Sequence, residues 1–443
     1  MKKLASQFFT LFMLFPLCIN AQDKDIRIDF FDAEFFFIEE EYVDALYSYK
    51  KVYEAGYQDN ANINYRMGVC YLNISGEKQK AIPFLEKAVK NISTDWKEGS
   101  FKEESAPVDA LLYLGNAYRI NKNIEKACYT YNEYINKLET EDEKVQAYAK
   151  MQIDACQRAR LAYLNPKDVQ IENLGTKYNT NLDNFQPVLS ADGTKMAFMS
   201  EKKFYDAVYF VQKKNGQWLN PINITPQIQS DGNQYVTSLS HDGSKMLLAK
   251  VDNFDSDIVI SEYSSMHWSK SKNIGKPVNS KYFEYHACLS ADGKTLYFTS
   301  NRPESIGEMD IFVSHLNEEG TWTEPENIGA TINTIFNESS PFISLDGKTL
   351  YFSSQGHNNI GGFDIFKSTL NENGEWNSPV ALPYPVNTPD DDIFYYPIND
   401  EKGYMSRVEK DGMGKEDIYL IDLTPPEKLA VNEIKEKADT PDS

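Results

Sequence analysis

The side chains that could do chemistry in this chain are few and scattered. His241, His267, His286, His315 and His357 lie far apart, and no pair has zinc-ligand spacing such as H-E-x-x-H. The run Asp252-Asn253-Phe254-Asp255-Ser256-Asp257 offers the several oxygens that calcium wants, but it lacks the loop glycine and closing glutamate of an EF-hand. Asp390-Asp391-Asp392 has the same weakness. No serine sits in a G-x-S-x-G elbow, and no phosphate-cradling loop or dinucleotide fingerprint occurs. Arg302 and Arg407 fall on inter-strand loops near one rim of a repeated unit, where a guanidinium could take a carboxylate. The expectation is a non-catalytic chain with no resident metal and no cofactor, whose chemistry is recognition.

Those arginines and aspartates sit on a framework that repeats. Asp-Gly occurs at Asp192-Gly193, Asp242-Gly243, Asp292-Gly293 and Asp346-Gly347, at spacings of 50, 50 and 54, with a degenerate copy from Asp400 to Gly403. Each precedes a β-rich run, such as MAFMS from Met196 or LYFTS from Leu296, and Asp-Gly between such runs marks a hairpin. A second mark follows: Asp206-Ala207-Val208, Asp257-Ile258-Val259, Asp310-Ile311-Phe312, Asp364-Ile365-Phe366 and Asp417-Ile418-Tyr419. A third is tryptophan, at Trp218, Trp268, Trp322 and Trp376. The Asp-Gly aspartates are expected to form turns, the Asp-Ile aspartates to bond nearby backbone, and the tryptophans to pack between units.

A repeat of ~50 residues holds about four short strands, the content of a propeller blade. The fifth copy lacks its last strand, because the chain turns proline-rich at Thr424-Pro425-Pro426. A spare strand exists at the front, Ile171-Glu172-Asn173-Leu174-Gly175, followed by Tyr178-Asn179-Thr180. The segment 168–175 is therefore expected to complete blade five and join the ring's ends. The residues Ser290-Ala291-Asp292-Gly293-Lys294-Thr295-Leu296-Tyr297-Phe298, Ser300-Asn301-Arg302-Pro303 and Gly361-Gly362-Phe363-Asp364-Ile365-Phe366 resemble the WD40-like repeats of TolB- and tricorn-type propellers. In the first blade Asn301-Arg302 is replaced by Glu201-Lys202.

Residues 26–165 follow a different period. Apolar residues recur at i, i+3, i+4 and i+7, the pattern of amphipathic helices. Gly68 and Tyr71 precede Ala81, Leu85 and Ala88; Gly115 and Tyr118 precede Ala127, Tyr131 and Tyr134; a weaker copy has Ala33, Phe36, Ala45 and Tyr49. Small residues let two antiparallel helices approach while large ones fill the gaps between pairs. This resembles the tetratricopeptide repeat, with the polar stretch Ser93–Ser105 inserted and a capping helix at about Glu141–Leu164. The resemblance implies a concave face lined by the first helix of each pair, here Arg27, Phe30, Glu34, Phe37, Asn62, Tyr65, Val69, Asn116 and Arg119. That face is expected either to hold a partner's peptide or helix, or to pack on the protein's own second domain. On the first alternative, charge reversal at Arg27 or Arg119 would weaken a partner without unfolding the chain.

Composition agrees with a folded, multidomain chain. Of 443 residues 41% are hydrophobic and 13% aromatic, which excludes wholesale disorder. The net charge of −21 disfavours nucleic acid and anionic lipid as partners. Residues 1–21 have a basic start, an apolar run from Phe8 to Ile19 and a small residue at Ala21, the features of a signal peptide and not of a transmembrane span. Leu17 before Cys18 departs from a lipoprotein motif. The other cysteines, Cys70, Cys128, Cys156 and Cys288, are too few for a disulfide scaffold and are expected as small buried hydrophobes. Residues 424–443 form a polar tail expected to be disordered.

Taken together, the expected fold is a tetratricopeptide-like α-solenoid (26–165) followed by a five-bladed β-propeller (168–423). A signal, such repeats and such a propeller in this order resemble envelope proteins of the Bacteroidota, including OmpA-family proteins of type IX secretion and gliding. The resemblance implies an exported, periplasmic or outer-membrane-associated interaction scaffold with envelope proteins as partners. The resemblance runs from residue 1 to about 423 and does not take in the OmpA-like part, so peptidoglycan is expected only indirectly. The alternative is a propeller that senses a glycan or peptide and a solenoid that reports it.

Overall fold

A computed structural model describes residues 25–139, 142–252, 255–410 and 412–424; the expected signal, and the expected tail beyond Thr424, lie outside them. The chain forms two compact units that meet in sequence at Ile153/Asp154.

The first unit is helical. Its elements are α1 (25–38), α2 (Tyr42–Glu54), α3 (Ala61–Leu72), α4 (Ala81–Ala88), α5 (Ala110–Ile120), α6 (Ile124–Lys137) and the start of α7 (Glu143–Leu164). Asn60 and Asn123 cap α3 and α6, each side chain accepting from the backbone N–H three residues on. The helices pair α1/α2, α3/α4 and α5/α6, and the glycines explain how closely. A Cβ on Gly68 would stand 2.5 Å from Leu85 Cγ, and one on Gly115 would stand 2.3 Å from Tyr131 Cε1. Ala33, Ala45, Ala81, Ala88 and Ala127 are fully buried at the equivalent contacts. The α7 residue Ala149 packs with Leu111 and Tyr134 and so covers the last pair.

The second unit carries five antiparallel sheets. Their inner strands are Asn184–Leu189, Gln234–Leu239, Glu284–Leu289, Glu338–Ile343 and Tyr396–Pro397, for blades one to five. The second strands, such as Lys195–Glu201 and Thr349–Ser354, are buried through nearly their whole length. Both faces of each sheet are covered by a neighbouring blade, so these runs are continuously apolar and do not alternate. Apolar clusters join blades two and three, three and four, and four and five. A further cluster unites Val188 and Leu189 of blade one with Tyr396 and Ile418 of blade five, which closes the ring. Trp268 lies wholly buried against Phe210 of blade one, between blades as expected.

Turn chemistry follows the repeat. In blades one to four the serine two residues before each turn aspartate donates to that carboxylate, as Ser190 Oγ does to Asp192 Oδ1 at 2.6 Å. The turn glycines are left-handed, Gly193 at φ +62°. Blade five differs. Asn399 caps its turn by accepting from the Glu401 and Lys402 N–H groups, and Gly403 lies in the strand Lys402–Arg407, where a Cβ would strike Tyr395.

The closing strand is Gln170–Asn173, paired antiparallel with Asp417–Asp422. A side-chain clamp accompanies it. Asn179 Oδ1 accepts from Ile418 N–H at 2.8 Å while its Nδ2 donates to Ile418 O at 3.0 Å. The same two-way clamp joins Asn279 to Ile258, Asn333 to Ile311 and Asn387 to Ile365. Asn179→Ala would leave both Ile418 backbone groups buried without this partner. We expect a loss of roughly 2 kcal/mol, read as a lower urea midpoint for the propeller; an unchanged midpoint would show that ring closure does not use the clamp.

Candidate functional site

Three places were candidates for recognition: the helical groove, the blade rim and the exposed apolar surface. The groove is occupied by the chain itself. The insert leaves and re-enters the solenoid through a two-residue parallel pairing of Ile92–Ser93 with Ala106–Pro107. Its aromatic side chains fold onto the first helices of the repeats. Trp96 Nε1 donates to Asn62 Oδ1 at 3.1 Å, and the Trp96 ring meets Tyr65 edge-on. Phe101 packs on buried Phe30 at 5.4 Å and lies under the exposed Arg27 guanidinium at 5.2 Å. A backbone bond from Ala61 N–H to Glu104 O and a side-chain bond from Asn60 Nδ2 to Glu103 O tie the insert down.

The nine groove residues are therefore not one open surface. Phe30, Glu34, Asn62, Tyr65, Val69 and Arg119 are buried, Phe37 and Asn116 are half-buried, and Arg27 alone is exposed. Glu34 accepts two bonds from Arg66, at 2.8 and 3.0 Å, and one from Tyr49 Oη. Arg66 in turn faces Phe37 at 4.3 Å and Trp96 at 5.3 Å. Burial raises the Tyr65 hydroxyl well above its ordinary range. Asn116 accepts from Tyr131 Oη at 2.7 Å. Sequence reasoning missed Arg66 and Trp96. The available signal was that Trp96, the one tryptophan outside the propeller, falls in the otherwise polar insert.

The rim arginines are also turned inward, which corrects their expected availability. Arg302 is buried. Its Nη2 donates to Glu284 Oε1 (2.9 Å) and Val278 O (2.8 Å), and its guanidinium lies 5.1 Å from the Phe298 ring and 5.2 Å from that of Phe312. Arg407 donates to Pro385 O and pairs with Glu409 at 2.8 Å. The Asp-Ile aspartates bond their own blades: Asp310 accepts from the N–H groups of Ile306 and Gly307, and Asp364 from those of Ile360 and Gly361.

Glu284 belongs to a ring that sequence reasoning did not find. Asn184, Gln234, Glu284, Glu338 and Asp392 each stand eight residues before a turn aspartate, begin or precede an inner strand, and are buried. Glu338 accepts from Thr334 N–H and Oγ1 and from Ser354 Oγ, in place of the guanidinium that Glu284 meets. In blade four, His357 takes the place of Arg302. Its Nε2 lies 2.8 Å from Ile332 O and its ring packs on Phe352 and Phe366, and burial lowers its pKa. Burial pushes the Glu338 carboxyl up to about 7, and Asp392 also to about 7 despite the nearby Arg407 charge.

The stripe that remains open is on α1 and α2. Ile28, Phe31, Phe35 and Ile38 recur at helical spacing on α1 and are 51% to 68% exposed; Val43 and Tyr47 on α2 are 61% and 64% exposed. A soluble helix normally turns such a stripe onto another helix. Acids outnumber bases around it: Asp25, Asp29, Asp32, Glu39, Glu40, Glu41 and Asp44 against Arg27 and Lys51, which pairs with Asp29 and lies over the Tyr47 ring. No helix among the described residues is long and apolar enough to cross a membrane, and none of their acidic, histidine and cysteine side chains cluster in a way that could hold a metal ion.

Residues 64–91 and 109–137 match the family model of the tetratricopeptide repeat. No curated protein matches the chain. Among solved structures, TolB from Acinetobacter baumannii is 19% identical over 54% of this chain and 54% of its own, with a TM-score of 0.34. The match thus spans about half the length of that protein. The α-L-arabinofuranosidase PaAbf62A from Podospora anserina, solved with cellotriose, is 10% identical over 58% of this chain and 95% of its own, at 0.38. The PQQ-bound aldose sugar dehydrogenase from Streptomyces coelicolor is 11% identical over 58% and 99%, at 0.31. None of these likenesses bears on activity.

Two outcomes follow from the burial pattern. Arg119→Glu places a carboxylate in a buried site and should cost more than about 3 kcal/mol in urea unfolding, whereas Arg27→Glu should cost under about 1 kcal/mol. For Glu338 the folded pKa lies above the unfolded one, so its contribution is full below about 4.5 and is lost as pH rises to about 7. Glu338→Gln should flatten that loss. Its stability relative to wild type should rise by roughly 1–3 kcal/mol between about pH 5 and 8, and a pH-independent difference would refute the shift.

Proposed function

We propose that this protein is a non-catalytic interaction scaffold whose α1/α2 surface docks a basic amphipathic helix of a partner protein. The apolar stripe Ile28, Phe31, Phe35 and Ile38 carries this reading, because it is a helix-packing face left open at the first repeat pair. Large aromatic anchors inside a charged rim are the usual composition of an energetic hot spot. The acids around the stripe call for a basic partner and would speed its encounter. Tetratricopeptide repeats support protein recognition in general terms. The groove that such repeats usually offer is filled here by Trp96 and Phe101, so the outer face of the first pair is the available one.

The cellular setting is part of the same proposal. A signal-like start, helical repeats and a propeller in that order support an exported protein of the periplasm or outer-membrane surface, serving as an accessory component of type IX secretion or gliding. Purification of tagged protein from gently crosslinked envelopes, read by quantitative mass spectrometry, tests it. Secretion, gliding or OmpA-like proteins should be enriched with wild type. Phe31→Glu combined with Phe35→Glu should remove at least about ten-fold of that enrichment while leaving the fold intact, since both side chains are exposed. Enrichment unaffected by the double variant would sink the docking surface, and absence of any stoichiometric partner would sink the scaffold.

A further inference from the structure

The propeller holds a pocket apart from the helical stripe and the buried rim arginines. It opens where the turns of blades one, two, four and five gather, with a volume of about 120 Å³, between Leu189, His241, Phe342, Tyr351, Tyr396 and Asp400. Its wall is aromatic. The Phe342 ring lies 4.5 Å from that of Tyr396 and 6.0 Å from the His241 imidazole. The Tyr396 hydroxyl is spent on Leu189 O, so what that residue offers a ligand is its ring. Tyr351 is buried, and its hydroxyl stands 3.5 Å from Asp400 Oδ1. Asp400 itself is exposed, so the pocket has an aromatic body and a carboxylate at its lip. His241 brings no opposing charge, because burial lowers its pKa and keeps the ring neutral at neutral pH. Leu345 and Ile398 line the same pocket and stay exposed.

We propose that this pocket binds the basic side chain of a partner polypeptide, with the cation against the aromatic wall and paired with Asp400. Size selects a side chain. The pocket is well below the ~300–1,000 Å³ of sites for drug-sized ligands and near the ~150 Å³ that holds one benzene. Charge selects a cation. Aromatic faces attract ammonium and guanidinium groups, Asp400 supplies the counter-charge, and the net charge of −21 raises the local concentration of cations. The partner's backbone would then lie over Leu345 and Ile398, an apolar rim that excludes water from the pair. This inference rests on the scaffold reading only in taking the ligand to be a polypeptide, and its test uses small probes that need no natural partner.

The full chain, labelled with ¹³C in its leucine and isoleucine methyl groups, is titrated at constant ionic strength with n-butylammonium chloride, N-acetyl-lysine methylamide and neutral n-butanol. The Leu345 and Ile398 methyl signals should shift saturably with both cations. Butanol should bind roughly three- to ten-fold more weakly. Asp400→Asn should weaken the cations by about the same factor and leave butanol unchanged, and added salt should weaken the cations alone. Equal binding of butanol and butylammonium to wild type overturns the proposal, as does the absence of any shift at these methyls with either cation. The wild-type comparison decides the matter without a variant, and loss of the envelope partner described above would leave it standing.

Discussion

A ring of blades has two chain ends, and everything in the propeller depends on joining them. Sheet edges left open at that seam would expose unpaired backbone groups and an apolar blade face at once. Here Gln170–Asn173 supplies the missing fourth strand of blade five. Asn179, a few residues on, repeats the clamp that Asn279, Asn333 and Asn387 make inside blades two, three and four. The seam is thus built from the same parts as an ordinary blade. The cluster joining Val188 and Leu189 to Tyr396 and Ile418 makes its packing continuous as well.

Closure also explains where the charges went. Once each blade covers its neighbour, the start of every inner strand lies in a low-dielectric interior, and a polar group there must find partners. Glu284 finds Arg302, Glu338 finds hydroxyls and a backbone N–H, and Asp392 finds Thr388. The solenoid does the same with Glu34, Arg66 and Tyr49. Side chains that looked free to grip a ligand are consumed in holding the fold. On the proposed scaffold reading, recognition falls to aromatic and aliphatic surface that the fold does not cover, framed by an acidic exterior.

Much of the architecture was legible because it is written as repetition. The Asp-Gly spacing, the Asp-Ile runs and the recurrent tryptophan each state a local rule that holds in four of the five blades, and the spare strand at Ile171 matches the strand that the fifth lacks. Gly68 and Gly115 likewise announce close helix contacts that the packing against Leu85 and Tyr131 requires. The candidate site was less legible. Asn62, Tyr65 and Arg119 have the right positions for a groove, but position on a helix does not say what lies opposite. The insert was visible as extra length and polarity, whereas its fold back onto the groove through Trp96 and Phe101 depends on contacts more than thirty residues apart in sequence.

By itself, then, the sequence determined the two fold classes, the number of blades and the way the ring closes, since each follows from period, turn chemistry and apolar pattern, which are local. Tertiary structure alone decided which polar side chains remain available. Whether Arg302 meets solvent or Glu284, whether Glu34 meets a partner or Arg66, and whether Phe342 and Asp400 share a pocket depend on which distant segments are brought together, and no local pattern encodes that.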